Sequence, residues 1–233
     1  MKRLLVASTS TLHGSEYLDY LLPVLSTHFQ GVSCITFIPY ARPSGISYDA
    51  YTDKARKAFA QIDIDVKGIH QFESPVEAIQ ESEGIFVGGG NTFELVNQLY
   101  QHNLMTVLKQ VIKEGTPYLG TSAGSNICGQ TMMNTNDMPI VYPPSFTTLG
   151  ILPFNINAHY LDPIEGSTHM GETRATRIKE YHVYNATTVI GLREGSWLEV
   201  TDASIKLKGD LTARVFKQDE PPFELASESE VIY

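Results

Sequence analysis

Gly120-Thr121-Ser122-Ala123-Gly124 is a G-x-S-x-G run, the spacing of a nucleophile elbow. Glycines on either side of the serine permit a very sharp backbone turn, which lifts the serine Oγ clear of its strand. Pro117-Tyr118-Leu119 in front of it reads as a strand, and Ser125-Asn126-Ile127 behind it can begin a helix. Ser122 is therefore the expected nucleophile. The Ala123 amide would then point to where an oxyanion forms, with a helix N-terminus favouring negative charge there. The plainer reading is a glycine-serine turn that caps a helix, and the preceding strand favours the elbow over it.

A serine hydroxyl needs a base within hydrogen-bond reach and a group that orients the base. Seven histidines compete: His13, His28, His70, His102, His159, His169 and His182. His28 and His102 fall at helix ends and His182 at the start of an edge strand, where solvated or capping roles suit them. His13 and His70 each follow a strand and stay open. His159 follows the expected strand 152–156, at its carboxyl end, where a parallel sheet gathers its functional loops. Gly88-Gly89-Gly90-Asn91 follows another strand, Ile85-Phe86-Val87, and is no dinucleotide fingerprint, because Phe93 stands where the third glycine belongs. Gly88, Gly89 and Gly90 are expected to supply a second oxyanion donor, with Asn91 also suited to cap the helix that follows.

Such loops need a scaffold, and the first half of the chain alternates short β-branched runs with amphipathic stretches. Strands are expected at 4–7, 34–38, 66–69, 84–87, 117–119 and 152–156. Helices are expected at 15–27, 48–62, 75–82, 92–99 and 104–113, with Pro23 awkward inside the first. This alternation implies right-handed crossovers and an α/β fold: a doubly wound, mainly parallel sheet with helices on both faces. Beyond Tyr181 the runs 188–192, 197–201, 204–208 and 213–217 read as a C-terminal antiparallel meander on the sheet edge. The acidic tail after Gln218 reads as a solvated end. No repeat, low-complexity tract or internal boundary stands out, so residues 1–233 are expected to form a single domain.

Composition narrows the function. The chain has 233 residues, 42% of them apolar and 18% charged, ample for a full core and unlike a disordered chain. Its 17 Lys and Arg against 26 Asp and Glu, a net charge of −9, argue against nucleic-acid binding, which needs clustered cations. No apolar run approaches the ~20 residues of a membrane span. Lys2-Arg3 precede an apolar run too short for a secretory signal. Two cysteines, Cys34 and Cys128, make no disulfide framework. The expectation is a soluble, cytoplasmic protein with reduced thiols, monomeric or homodimeric.

Several motifs occur together in a recognisable order. These are Gly88-Gly89-Gly90-Asn91-Thr92-Phe93, the elbow itself, Thr135-Asn136-Asp137-Met138-Pro139-Ile140, Ile156-Asn157-Ala158-His159, Gly171-Glu172-Thr173-Arg174 and Gly191-Leu192-Arg193-Glu194-Gly195. Across essentially the whole chain they resemble the peptidase E family of serine peptidases, the group that also includes cyanophycinase. The resemblance implies a class I glutamine-amidotransferase-like fold and hydrolysis of small peptides, dipeptides with an unblocked N-terminal aspartate, without metal or other cofactor. It implies Ser122 as nucleophile and His159 as base. For the third member it offers Asp137 or Glu194, and Asp137 is preferred; either carboxylate can hold the imidazole tautomer. Substrate binding is expected at Asn91 and Arg174. Arg174 would grip the aspartate carboxylate through its two-pronged fork, with a surface ion pair to Glu172 as its plainer role and Arg42 as the replacement cation.

Departures from the family pattern fall at Arg193, where proline is usual, and at Tyr160-Leu161-Asp162-Pro163. Three rivals remain in view. A cysteine amidase on this fold needs a thiol at the elbow, where Ser122 stands. A silent amino-acid-binding module would not need the Ser122–His159 pair. Cyanophycinase-like cleavage of β-aspartyl chains would need a longer groove than so short a chain provides.

Overall fold

The computed structural model describes residues 2–163, 166, 168 and 170–233. One candidate base, His169, lies outside the described residues. In chain order the strands are β1 (Arg3–Ala7), β2 (Cys34–Ile38), β3 (Asp65–Gly68), β4 (Gly84–Val87), β5 (Tyr118–Thr121) and β6 (Asn155–Asn157), then β7 (Val189–Gly191), β8 (Trp197–Thr201), β9 (Ile205–Lys208), β10 (Ala213–Phe216) and β11 (Phe223–Leu225). The helices are α1 (Leu22–His28), α2 (Tyr48–Phe59), α3 (Pro75–Gln80), α4 (Thr92–Gln101), α5 (Leu104–Glu114), α6 (Ala123–Asn126) and α7 (Arg174–His182).

The central sheet runs β3-β2-β4-β5-β1-β8-β9; the first five are parallel, and β8 and β9 are antiparallel additions. Side chains alternate across a strand, and here alternate residues enter two different cores. Leu4, Val6, Ile38, Ile85, Val87 and Tyr118 pack with α3, α4 and α5. Leu5, Ala7, Ile35, Phe37, Phe86 and Leu119 pack with α1 and α2 on the other face. Full burial of a leucine, isoleucine or phenylalanine is worth roughly 1.5–3 kcal/mol, so both faces are strongly committed. The expectation of a mainly parallel sheet between helical layers holds.

Four expectations need correction, one of them the tail after Gln218, which is no solvated end: it carries β11 and buries Leu225 and Val231. The first helix begins at Leu22, not at residue 15, because Pro23 fits only the opening turn, where its missing N–H costs nothing. The strand expected at 152–156 is the short β6, displaced past Pro153, which cannot donate to a ladder. The meander is not one sheet: β6 and β7 pair in parallel, and β10 and β11 complete a second sheet in the order β11-β10-β7-β6. Burial explains the split. All three residues of β7 are buried, as a strand covered on both faces requires, whereas β8, between β1 and β9, alternates between burial and exposure, as a strand with one face toward solvent does. The second sheet shares the α3–α5 core through Ile156, Ile190, Val215 and Leu225. Among the described residues no helix is long and apolar enough to cross a membrane.

Candidate active site

Ser122 stands between β5 and α6 with φ 53° and ψ −110°, a backbone region that ordinary residues avoid at about 1–3 kcal/mol. Close packing enforces the turn. A Cβ on Gly124 would collide with the Val87 carbonyl, and one on Gly120 with the Gly124 carbonyl, so β4, β5 and α6 meet backbone to backbone. The Ser122 N–H donates to the Ala7 carbonyl at 3.1 Å. Ser125 Oγ lies 2.6 Å from that same carbonyl and 2.8 Å from Gly120 O. The Ser122 backbone and the helix behind it are thus anchored to the buried main chain of β1 and β5.

His159 Nε2 lies 2.9 Å from Ser122 Oγ, and His159 Nδ1 lies 2.6 Å from Glu194 Oε1. A carboxylate only accepts, so the Nδ1 proton faces Glu194 and the Nε2 lone pair faces the serine hydroxyl. The pair is not buried: the side chains are 37% and 47% exposed. Orientation rather than a large Coulomb term is what Glu194 can contribute there. His159 also has a positive φ, 54°.

Side chains hold the His159 turn in that shape. Ser8 Oγ accepts from His159 N at 2.9 Å and donates to Leu192 O at 2.8 Å, tying the segment just after β1 to those just after β6 and β7. Asn126 Oδ1 accepts from Ala158 N at 3.3 Å, and Asn136 Nδ2 donates to Ala158 O at 3.1 Å. The two departures from the family pattern turn out to be partners. Arg193 Nε and Nη2 form a fork on Asp162, at 2.8 and 2.9 Å, and Nη1 reaches Glu224 at 2.9 Å and Thr212 O at 2.7 Å. Arg193 adjoins Glu194, and Asp162 lies three residues beyond His159, so the fork braces one turn against the other. The bond from Arg193 holds the Asp162 carboxyl below its ordinary value.

Asp137, the preferred third member, is elsewhere. Its Oδ2 accepts from Thr92 N, at the start of α4, at 2.7 Å and from Thr135 Oγ1 at 3.1 Å. A free helix N–H and the positive end of the helix suit a carboxylate well. Asn126 Nδ2, 3.0 Å from Thr92 Oγ1 and 3.3 Å from Thr135 Oγ1, links this cluster to the serine helix. Arg174 opens α7 nearby, half-buried. Burial and the neighbouring Arg177 push its pKa down while the Asp137 charge pulls it up. Among the described residues it makes no ion pair with Glu172 or any other acid, in contrast to Arg193.

The glycine loop divides. The Gly88 N–H donates to Ile38 O at 3.1 Å, which takes it out of an oxyanion role. Gly89 approaches the serine so closely that a Cβ there would lie 2.9 Å from Ser122 Cβ. Its carbonyl accepts from Arg42 Nε and Tyr51 Oη, each at 3.1 Å, so the N–H of Gly90, antiparallel across the planar peptide, points away from both. Each polar atom of the Asn91 side chain has a protein partner: Oδ1 caps α4 by accepting from Glu94 N at 3.1 Å, and Nδ2 donates to Met138 O at 2.8 Å, which leaves one N–H of the amide over.

Among the described residues no other histidine is hydrogen-bonded to Ser122, and four of them have other partners. His28 Nε2 lies 3.1 Å from Tyr118 O, and burial lowers its pKa to about 4. His70 faces Asp49 at 3.0 Å, His182 ends α7 against Asn185 O, His102 stacks on Tyr40, and His13 is exposed. Burial pushes the Cys128 thiol up to about 12, which leaves it inert. Among the described residues no group of three or more acids, histidines and cysteines is placed to hold a metal ion. Ser8, Asn126 and Asn136 escaped the sequence reading; only Arg193 carried a signal, its departure from the family pattern. A cavity of about 450 Å³ opens beside Ser122 and His159, walled by Thr9, Tyr17, Arg42, Tyr51, Lys54 and Gly89 among others.

Comparison with known proteins places this geometry in context. The family described as peptidase family S51 matches residues 4–208. Peptidase E of Streptomyces coelicolor is 44% identical over 228 residues, covering 98% of this chain and 93% of that protein. A Drosophila melanogaster protein named probable alpha-aspartyl dipeptidase is 42% identical over 228 residues, covering 97% and 94%. The crystal structure of a peptidase from an acI-B1 actinobacterium shares the fold, with a TM-score of 0.75 at 17% identity over 100% of this chain and 97% of that one.

Proposed function

We propose a mechanism from the premise that this chain belongs to peptidase family S51: it is a serine-type dipeptidase that hydrolyses dipeptides with an N-terminal aspartate. The observation that carries the mechanism is the hydrogen-bonded line Ser122 Oγ–His159–Glu194, 2.9 Å and then 2.6 Å. His159 Nε2 takes the Ser122 proton as Oγ attacks the carbonyl after the aspartate. Glu194 holds the ring and stabilises the imidazolium. The amides of Ala123, Gly89 and Gly90 receive the oxyanion, and Gly88 shapes their loop. His159 then gives its proton to the leaving nitrogen, and water, deprotonated by the same ring, releases aspartate from the acyl-enzyme.

Arg174 takes the side-chain carboxylate of the substrate aspartate. A half-buried guanidinium that has no ion pair among the described residues and feels the Asp137 charge supports that role. Asp137 braces α4 and faces Arg174, and Asn91 shapes the loop. The strand order and the elbow after β5 support the class I glutamine-amidotransferase-like assignment. Because Ser122 comes from the central sheet and His159 and Glu194 from the ends of β6 and β7, we take residues 1–233 as one working domain. Two unpaired cysteines fit a cytoplasmic setting.

Aspartate release from Asp-Leu, Asn-Leu and β-Asp-Leu tests the reading. Wild type should favour Asp-Leu over Asn-Leu by about 10²-fold or more in kcat/KM, since an amide turns donors toward donors. Arg174→Met should flatten that preference, and Arg174→Lys should keep only part of it, because a point charge does not replace the fork. Faster cleavage of β-Asp-Leu than of Asp-Leu would make the cyanophycinase-like reading the correct one.

A further inference from the structure

The loop between β4 and α4 is pinned at both ends and free in the middle. The Gly88 N–H donates to Ile38 O at 3.1 Å, and the Asn91 N–H to Ala41 O at 2.8 Å. Among the described residues the two amides between them, those of Gly89 and Gly90, donate to no protein atom. The peptide joining Gly89 to Gly90 is gripped through its carbonyl, to which Tyr51 Oη and Arg42 Nε both donate at 3.1 Å. Without those two bonds its plane would be loosely set, because glycine on both sides lets a peptide turn over at little steric cost. Tyr51 stands on α2, 2% exposed, its ring edge-on to Phe37 at 4.9 Å and to Tyr17 at 6.2 Å. Its hydroxyl comes so near the loop that a Cβ on Gly88 would lie 2.7 Å from it, a reason for glycine there. Arg42 reaches the same carbonyl from the exposed side, its guanidinium carbon 5.5 Å from the centre of the Tyr51 ring. The line Ser122–His159–Glu194 bonds to neither side chain.

We propose that Tyr51 and Arg42 are positioning residues of the oxyanion hole: by holding the Gly89 carbonyl they keep the Gly90 N–H turned toward the reacting carbonyl. The inference rests on the acyl-enzyme reading above. The C=O and N–H of a trans peptide point in opposite directions, so anchoring one aims the other. Gly89 lies against the nucleophile, since a Cβ there would be 2.9 Å from Ser122 Cβ. With its carbonyl on Tyr51 the peptide offers a donor to the developing oxyanion. Turned over, it would offer a carbonyl oxygen, which repels one. The bond from Arg42 is charge-assisted, and drawing electron density toward the carbonyl strengthens the N–H of the same amide as a donor. Both anchors are in place before any substrate arrives, so the donor is preorganised and nothing need turn as charge develops.

The experiment uses Tyr51→Phe, Arg42→Met and the double variant. Three quantities are read: kcat on Asp-Leu, inhibition by the boronic acid analogue of aspartate, and the Kd of Asp-Leu for each variant combined with Ser122→Ala. The boronate adduct on Ser122 puts a negative oxygen in the hole, whereas Asp-Leu bound without attack puts only a neutral carbonyl there. Each single change should lower kcat about tenfold and weaken the boronic acid by a similar factor, while the Kd of Asp-Leu moves less than about twofold. The double variant should lose on the order of 10²–10³ in kcat, the cost of one missing oxyanion donor. Tyr51→Phe keeps the ring in its packing and should melt close to wild type; Arg42→Met, at an exposed residue, gives the same three readouts should Tyr51→Phe unfold. A Kd that weakens in step with the boronic acid would mean that these side chains bind substrate and do not aim the amide, which overturns the proposal. So does wild-type kcat in both single variants. No cleavage of Asp-Leu by wild type, with melting normal, is the separate signature of failure of the dipeptidase reading, and the roles of Tyr51 and Arg42 fall with it.

Discussion

Ser122 and His159 are in hydrogen-bond contact, yet the two halves of the site are built by different means. The serine half belongs to the central sheet: main chain presses on main chain, and glycine is demanded where β4, β5 and α6 touch. The histidine half stands at the ends of β6 and β7, half exposed, and polar side chains from distant segments give it shape. Steric enforcement is rigid and local, so a short motif can announce it. Enforcement by hydrogen bonds among residues 8, 126, 136, 162 and 193 is distributed, and each bond is worth only about 0.5–1.5 kcal/mol net. The half proposed to accept and release protons is the half whose geometry rests on such small terms.

The comparison breaks first at its shared centre. Ser122→Ala and His159→Ala should each lower kcat on Asp-Leu by on the order of 10⁵–10⁶, with melting close to wild type. The double variant should be scarcely worse than either single one, because members of a catalytic line act as a unit. Losses that multiply would separate the two halves functionally and remove the base assignment from His159.

Removing the brace on the histidine side should act more gently. Arg193→Met keeps the length of the stem and deletes the fork on Asp162 and Glu224. We expect about a tenfold fall in kcat from a loosened His159–Glu194 geometry, with KM changed less. The stability effect has a defined pH course. Arg193 depresses the folded-state pKa of Asp162, so the contribution is complete above the unfolded carboxyl value of about 3.9 and is lost as pH falls through the depressed one. The melting gap between wild type and Arg193→Met should therefore be full near neutral pH and shrink below about pH 4. A gap constant across that range would mean that Arg193 acts through packing alone.

The same contrast explains what the sequence disclosed. The parallel sheet, the elbow and the glycine loop follow from periodicity and from glycine placement, both local properties. Cutting β6 to three residues and pairing it with β7 depend on buried asparagines, Asn155 and Asn157, whose bonds reach residues 130, 131, 134, 136 and 181. No window of sequence contains those partners. Asp137 and Glu194 are equally plausible as isolated turn acids; only the position of the α4 N-terminus draws the first away and only the Arg193 brace presents the second. For Asn91 the cap on α4 was legible from its place before the helix, whereas the bond to residue 138 depends on a distant segment.

The central claim is that Glu194 orients the imidazole while Asp137 supports structure. Its most direct test is kcat on Asp-Leu for Glu194→Gln and Asp137→Asn at one pH, with thermal melting of both. The account predicts a loss of about 10³–10⁴ for Glu194→Gln with little change in melting. It predicts a loss within about tenfold for Asp137→Asn, accompanied by a lower melting temperature as α4 loses an anion at its N-terminus. A large kcat loss in Asp137→Asn beside a nearly active Glu194→Gln would contradict it.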